Sequence, residues 1–230
     1  MKASQTLIGT GSSVTFESSS SQNTEEVSWT LPGSSQESAD GESVTVTYDK
    51  AGVYDVTVTA KNKSGEDEKT YTGCILVTDD LAKDAELTLL SQGKATEATA
   101  YVNENEAPPF AVDGDVKKKW CATGTAPHEL TIDLGAETTV SQVGISHAEA
   151  GGEGADMNTK AYTISVSTDG AEYTPVVNIT KNTAGTTLDT FAPVNARYVK
   201  LSVVKPTQGS DSAARIYEVQ VYGSETPLAQ

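Results

Sequence analysis

A short acidic turn in the middle of the chain carries the side chains best suited to bind a metal ion. Asp113 and Asp115 flank Gly114, so a tight turn at the glycine can point both carboxylates at one centre. A hard cation such as calcium requires six or more oxygen ligands, and carboxylates are typical among them. Because the chain is rich in acidic residues, the motif alone equally describes a solvated turn.

A second candidate site lies in residues 145–159, the longest polar, glycine-rich loop of the chain. The imidazole of His147 and the amide of Asn158 can each donate and accept hydrogen bonds, so the loop is suited to a polar ligand. Glu149 and Glu153 can accept hydrogen bonds from hydroxyls. In the alternative interpretation, His147 and Asn158 satisfy backbone groups and both glutamates are solvated.

This loop contains no aromatic residue on which a sugar ring could stack. Tyr101, Phe110 or Phe191 can supply such a ring from elsewhere in the chain, and the sequence does not choose among them.

Several function classes lack their motifs. There is no G-x-S-x-G, no nucleophile–base pair and no phosphate loop, and acid pairs arise by chance among 32 acidic residues. The net charge is −16 and the only basic cluster is 117–119, which argues against binding to nucleic acid or anionic lipid. No apolar run of about 18 residues predicts a transmembrane helix. The missing catalytic motifs disfavour an enzyme.

The two cysteines, Cys74 and Cys121, fall in different halves of the chain and form no metal-binding spacing. We expect two buried free thiols rather than a bridge between domains. Residues 1–6 lack the apolar segment of a signal peptide, and we expect that Met1 was supplied for expression.

The elements that would position these residues are β-strands throughout. In residues 1–80, alternating or β-branched runs separated by turn signals predict a β-sandwich. The predicted strands lie at 14–16, 27–31, 44–48, 53–60 and 71–77. After a short linker, a second set of alternating runs predicts a jelly-roll or similar sandwich. These runs lie at 130–134, 143–145, 162–166, 173–176, 197–203 and 215–223, with an Asp169–Gly170 hairpin signal.

The first part resembles a polycystic-kidney-disease (PKD) domain. The similarity is carried by residues 27–29 (VSW), 44–48 (VTVTY) and 51–65 (AGVYDVTVTAKNKSG). The family is an immunoglobulin-like sandwich common in secreted bacterial enzymes, so the resemblance implies a spacer. The family's frequent W-x-F-G-D-G stretch is absent.

The second part resembles a discoidin, or coagulation factor 5/8 type C, domain, which in bacterial proteins is classed as carbohydrate-binding module family 32. Five motifs appear in the family's order. They are residues 110–115 (FAVDGD) with 119–120 (KW), 130–135 (LTIDLG), 162–170 (YTISVSTDG), 196–201 (ARYVKL) and 216–223 (IYEVQVYG).

This resemblance implies particular site residues. It implies one structural calcium ion held by the carboxylates of Asp113, Asp115 and Glu218 and by carbonyls around Phe110, Lys118 and Tyr217. The family often has Thr where Lys118 stands, so one ligand is expected to be weaker. It also places Trp120 in the core. For the sugar, it implies contacts from the side chains of His147, Glu149, Glu153, Asn158, Gln208 and Arg215.

The sequence therefore predicts two all-β domains: an immunoglobulin-like spacer at 1–80 and a jelly-roll, discoidin-like module at 81–225, with a tail at 226–230. The pairing is similar to accessory regions of secreted bacterial glycosidases such as endo-β-N-acetylglucosaminidases. We expect a monomeric, non-catalytic, secreted or cell-surface fragment that binds galactose-, N-acetylglucosamine- or N-acetylgalactosamine-type glycans and acts with a parent catalytic domain in cis. The alternative is a structural or protein-interaction module without glycan binding.

Overall fold

The computed structural model describes residues 1–19 and 23–228, which form β-strands and short 3-10 helices. The chain divides into two compact units. The first comprises Met1–Leu87 with Thr190–Pro193, and the second comprises Thr88–Asp189 with the chain from Val194 onward. The prediction of two all-β domains is confirmed.

The first unit contains a three-stranded and a five-stranded sheet. Its strands are β1 (Lys2–Ala3), β2 (Leu7–Gly9), β3 (Ser12–Glu17), β4 (Glu26–Thr30), β5 (Ser38–Asp40), β6 (Ser43–Tyr48), β7 (Gly52–Asn62) and β8 (Gly65–Thr78). The sheet orders are β1-β3-β6 and β2-β8-β7-β4-β5. Strand β2 pairs in parallel with β8, whereas the other pairs are antiparallel.

The core of the first unit follows from the alternation of its strands, because successive side chains point to opposite faces of a sheet. Val14 and Phe16 of β3 and Trp29 of β4 are buried. The ring centroids of Phe16 and Trp29 lie 6.0 Å apart. The Trp29 Nε1–H donates to the Gly41 carbonyl at 2.8 Å, so the indole is satisfied inside the core.

The second unit contains a seven-stranded sheet and a two-stranded sheet. Its strands are β9 (Thr88–Leu89), β10 (Ala95–Ala98), β11 (Trp120–Ala122), β12 (His128–Ser146), β13 (Ala161–Ser167), β14 (Thr174–Ile179), β15 (Thr186–Lys205), β16 (Ala214–Ile216) and β17 (Glu218–Ser224). The larger sheet runs β14-β13-β15-β12-β17-β9, with β10 also paired to β12, and β11 pairs with β16. Four 3-10 helices connect the strands: Glu104–Glu106, Pro108–Ala111, Ala148–Gly151 and Ala155–Met157.

The core of the second unit also follows the alternating pattern. Leu130, Ile132 and Leu134 on β12 are buried, and Thr131 and Asp133 between them are only half-buried. Trp120 is fully buried and donates from Nε1 to the Ala100 carbonyl at 2.9 Å, which confirms its predicted core position.

Both cysteines are free and buried, as expected. No helix within the described residues is both long and apolar enough to cross a membrane.

Candidate functional site

Three carboxylates lie around the Gly114 turn, and we refer to Asp113, Asp115 and Glu218 as the acidic clasp. Gly114 has a φ of 79°, a left-handed conformation that favours glycine. Its N–H lies 3.2 Å from both carboxylate oxygens of Glu218, which begins β17. The side chain of Asp113 accepts a hydrogen bond from the Asp115 N–H at 2.8 Å, which fixes the turn.

Lys118 provides the positive charge of the clasp. Its ammonium lies 3.5 Å from Asp113 Oδ2 and 3.8 Å from Asp115 Oδ2, and its side chain is half exposed. The same ammonium lies over the Phe110 ring, 5.2 Å from the ring centroid, and covers part of that ring. Lys118 therefore neutralises the two aspartates of the turn from their solvent side.

Glu218 differs from the two aspartates, because it is only 4% exposed and no ion pair reaches it among the described residues. Burial, together with the neighbouring charges of Asp113 and Asp115, raises its pKa to about 7 against the opposing hydrogen bond from the Gly114 N–H. Among the described residues, the buried carboxylate of Glu218 therefore lies next to two other carboxylates and has no cationic partner.

The donor chemistry of the clasp suits a hard cation, since it supplies carboxylate oxygens from two segments that are distant in sequence. In the part of the chain that the structure describes, however, no group of three or more His, Cys, Asp or Glu side chains converges closely enough to hold a metal ion. The three carboxylates would therefore have to close inward around an ion, displacing the exposed Lys118 ammonium.

The structure places His147 inside the second unit, not on its surface. It is fully buried, 5.6 Å from Tyr162 between ring centroids, and its Nε2 lies 3.3 Å from Thr187 Oγ1. Its Nδ1 has no hydrogen-bond partner among the described residues. Burial lowers the pKa of His147 to about 4. In this arrangement the imidazole is a neutral core group and does not face a ligand.

Asn158 is fully buried as well, and its amide supports the loop. Its Oδ1 accepts from the Glu149 N–H at 2.9 Å, and its Nδ2 donates to Glu149 Oε2 at 3.0 Å and to the Thr183 carbonyl at 3.1 Å. Gln208 donates from Nε2 to the carbonyls of Asn158 and Asn182. These amides hold three loop segments together, which agrees with the alternative interpretation that Asn158 satisfies backbone groups.

Glu153 and Arg215, in contrast, belong to a partly exposed charged network that also includes residues outside the predicted set. The network consists of Glu106, Lys119, Glu153, Asp211 and Arg215. Lys119 Nζ lies 2.7 Å from Glu153 Oε1 and 3.5 Å from Glu106 Oε1. Arg215 Nε lies 3.0 Å from Glu153 Oε2, and its Nη2 donates to Asp211 Oδ2 at 2.9 Å.

Tyr217 completes the surroundings of Glu153. Its hydroxyl donates to Glu153 Oε1 at 2.8 Å. The ring packs so closely on Gly151 that a Cβ there would lie 2.0 Å from a ring carbon, so only glycine fits. Burial would raise the pKa of Glu153, but hydrogen bonds from Lys119 and Tyr217 outweigh it and lower that pKa, which keeps the carboxylate ionised.

Tyr101 is an exposed aromatic residue whose hydroxyl donates to Glu104 Oε1 at 3.1 Å. Of the three rings that the sequence offered, Tyr101 is 45% exposed, Phe110 lies under Lys118 and Phe191 is buried. The flanking backbone is anchored on β11, because the Ala100 carbonyl accepts from Trp120 and the Val102 N–H donates to the Cys121 carbonyl at 2.9 Å.

The pairing of β11 with β16 connects this tyrosine to the network. Cys121 is the register partner of Arg215, and Lys119 immediately precedes β11. Sequence reasoning missed Lys119 and Glu106. A signal existed for Lys119, because it directly precedes the buried Trp120 and is therefore held close to the core.

Comparison with known proteins gives two family matches. Residues 92–219 match the profile described as the F5/8 type C domain, and residues 1–75 match the PKD domain. Both describe non-catalytic modules. None of the curated proteins compared matches this chain.

Solved structures resemble the second part of the chain. A chitosan-binding module 2 in complex with chitotriose, from a chitosanase/glucanase of Paenibacillus sp. IK-5, is 26% identical, with a TM-score of 0.52 over 58% of this chain and 99% of that one. The family 32 carbohydrate-binding module of Streptococcus pneumoniae EndoD is 24% identical (TM-score 0.54; 60% and 100% covered). The family 32 module of C. perfringens NanJ in complex with galactose is 23% identical (TM-score 0.51; 59% and 98% covered).

Proposed function

Because the chain belongs to the F5/8 type C family, with a PKD domain preceding that domain, we propose that it is a glycan-binding accessory fragment of a secreted or cell-surface bacterial glycosidase. The observation that carries this proposal is the exposed ring of Tyr101, whose flanking backbone is bonded to Cys121, the register partner of Arg215 in the charged network. The second unit has the fold of a family 32 carbohydrate-binding module, and neither unit presents a catalytic motif.

The proposed contacts use the two properties of a pyranose ring. Its C–H face stacks on an aromatic ring, for which Tyr101 offers nearly half of its surface. Its hydroxyls both donate and accept hydrogen bonds, and the ammonium of Lys119, the guanidinium of Arg215 and the carboxylate of Glu153 supply donors and an acceptor at fixed positions. The proposed site is therefore assembled before the sugar arrives.

The proposed ligands are galactose-, N-acetylgalactosamine- or N-acetylglucosamine-type glycans. The similar structures from C. perfringens and Paenibacillus contain galactose and chitotriose, which makes these two sugars suitable probes. Weak binding is sufficient for the role, since attachment of the module to a catalytic domain raises the enzyme's effective concentration at its substrate.

We also propose that a calcium ion binds at the acidic clasp. The support is the buried Glu218 carboxylate beside Asp113 and Asp115, for which an ion would supply the missing positive charge. The proposed role is structural: the ion would tie the Gly114 turn to the start of β17.

A second candidate function is a structural or protein-interaction module that orients the parent's catalytic domain. It is favoured by the burial of His147 and Asn158, two positions at which the sequence predicted sugar contacts.

Titration of the whole chain, with calcium present, separates the two candidates. Galactose, N-acetylgalactosamine and chitotriose are added while backbone amide signals are recorded by NMR. We expect shifts around Tyr101, Lys119 and Arg215.

Tyr101→Ala should weaken binding about tenfold, and Tyr101→Phe should keep most of it. Val204→Ala, which truncates an exposed side chain elsewhere in the second unit, is the control. If none of these sugars binds, the structural module is the better description.

A further inference from the structure

A second concave surface lies on the solvent face of the large sheet, and we name it the tyrosine groove. It has a volume of about 500 Å³ and is lined by residues including Ala95, Thr131, Asp133, Tyr173, Tyr198 and Lys200. Alternation explains its composition. Thr131 and Asp133 face outward from β12 because Leu130, Ile132 and Leu134 face the core.

Two charged groups of the groove, Asp133 and Lys200, are paired with neighbouring side chains, whereas the carboxylates of Glu97 and Asp169 line it without an ion pair among the described residues. Arg197 makes a two-pronged ion pair with Asp133, with Nε to Oδ1 at 2.8 Å and Nη2 to Oδ2 at 2.9 Å. Lys200 Nζ lies 3.9 Å from Glu129 Oε2. A bidentate pair of this kind is preorganised and has little free charge to offer. The groove therefore carries an excess of negative charge, which disfavours an anionic ligand.

Both tyrosine rings are held in place. Lys200 Nζ lies 3.8 Å from the centroid of the Tyr173 ring, and the guanidinium carbon of Arg197 lies 5.0 Å from that of Tyr198. Gly170, with a φ of 78°, lets the turn after β13 approach Tyr198, since a Cβ there would lie 3.1 Å from the ring. Each tyrosine remains half exposed, so immobile aromatic surface is available at little entropic cost.

We propose that the tyrosine groove is a second carbohydrate site, which binds a segment of a neutral oligosaccharide along the sheet face. The ligand class rests on the proposed function, but the groove is separate from Tyr101 and the charged network. Tyr173 and Tyr198 provide stacking surfaces, and the Thr131 hydroxyl and the Glu97 carboxylate provide hydrogen-bonding groups. The groove offers no deep apolar pocket of the kind that anchors a peptide side chain.

The test uses the whole chain and a panel of neutral oligosaccharides built from glucose, mannose, galactose and N-acetylglucosamine, each up to about 10 mM, the weak range for single sugar contacts. Amide signals report on both sites at once. We expect at least one oligosaccharide to shift residues 131, 133, 173, 198 and 200. Tyr173→Ala and Tyr198→Ala should each weaken that binding about tenfold, whereas Tyr101→Ala should leave it unchanged.

Two further variants keep the proposal falsifiable if removal of a tyrosine harms the fold. Ala95→Arg adds a long side chain at an exposed lining position and leaves both rings in place, so it should block the groove. Val204→Ala should not affect it. The proposal is overturned if no member of the panel shifts the groove signals, if Ala95→Arg binds like the unmodified chain, or if only peptides shift them. If a sugar shifts the amide signals of the groove but not those around Tyr101, the result contradicts the proposed function and supports the groove as a separate site.

Discussion

At the scale of single residues, His147 makes the stability of the second unit depend on pH. Its imidazole is fully buried, faces Tyr162 and Thr187, and has an unpaired Nδ1. Burial lowers its pKa from 6.5 to about 4, so between these values the unfolded chain binds a proton that the folded chain does not. The stabilisation is complete above pH 6.5 and is lost as pH falls toward 4.

We predict that His147→Phe removes this dependence, because phenylalanine keeps a ring against Tyr162 and cannot be protonated. Between pH 6.5 and pH 4 the unmodified chain should lose about 3 kcal/mol more unfolding free energy than the variant, from roughly 1.4 kcal/mol per pKa unit. Denaturant unfolding at a series of pH values measures this difference, and the comparison cancels the titration of the carboxyl groups. Parallel curves for the two proteins would contradict the prediction.

The same residues show how far the sequence predicts a site. The sequence identifies the polar loop at 145–159. However, side chains alternate between two faces only along a strand, so the sequence does not show which side chains of an irregular loop point inward. Two 3-10 helices fold this loop so that His147 and Asn158 point inward, whereas Glu153 remains at the surface. The exposed ring of Tyr101 depends on the anchoring of its backbone to Cys121, a contact that no local pattern reveals.

At the scale of elements, the acidic clasp joins the Gly114 turn to β17, and Lys118 competes with the proposed calcium ion. If calcium binds, it must displace an ammonium 3.5–3.8 Å from the two aspartates. We predict that Lys118→Thr increases calcium affinity roughly tenfold, because it removes a competing charge worth on the order of 1 kcal/mol and adds a hydroxyl ligand. Glu218→Gln should weaken binding by a similar or larger factor.

Calorimetric titration of the chelator-treated chain with calcium measures these affinities, and the melting temperature with and without chelator reports the structural effect. Lys117→Thr is the matched control, because Lys117 is exposed and has no ion pair with the clasp among the described residues. Absence of calcium binding in both the unmodified chain and Lys118→Thr, with unchanged melting temperatures, would show that the lysine alone neutralises the turn.

Strand patterns predicted most elements but not their breaks or partners. The run at 215–223 predicts one strand, yet Tyr217 separates β16 from β17, since β16 pairs with β11 and β17 with β12. The strand predicted to end at Gly135 continues in β12 to Ser146. Strand β2, which pairs in parallel with β8, is too short for a periodic signal. Such features are decided by pairing between distant segments.

At the scale of the whole molecule, the net charge of −16 should select among glycans. The surface around Tyr101 does not reverse this charge, because its network contains two cations, Lys119 and Arg215, and three carboxylates, those of Glu106, Glu153 and Asp211. An anionic glycan would therefore approach against a repulsive field, whereas a neutral glycan would not.

We predict that N-acetyllactosamine binds with nearly the same affinity at low and high salt, whereas its form carrying one sulfate binds roughly three- to tenfold more weakly at low salt. The difference should shrink between about 0.01 M and about 1 M salt, since the screening length falls from about 30 Å to about 3 Å. Because the two ligands differ by one sulfate, stacking on Tyr101 is the same in both. Titration of each ligand at both salt concentrations measures the effect. Tighter binding of the sulfated form at low salt would contradict this prediction. It would show that Lys119 and Arg215 leave their carboxylate partners to bind an anion. The local network, and not the total charge, would then govern the selection of glycans.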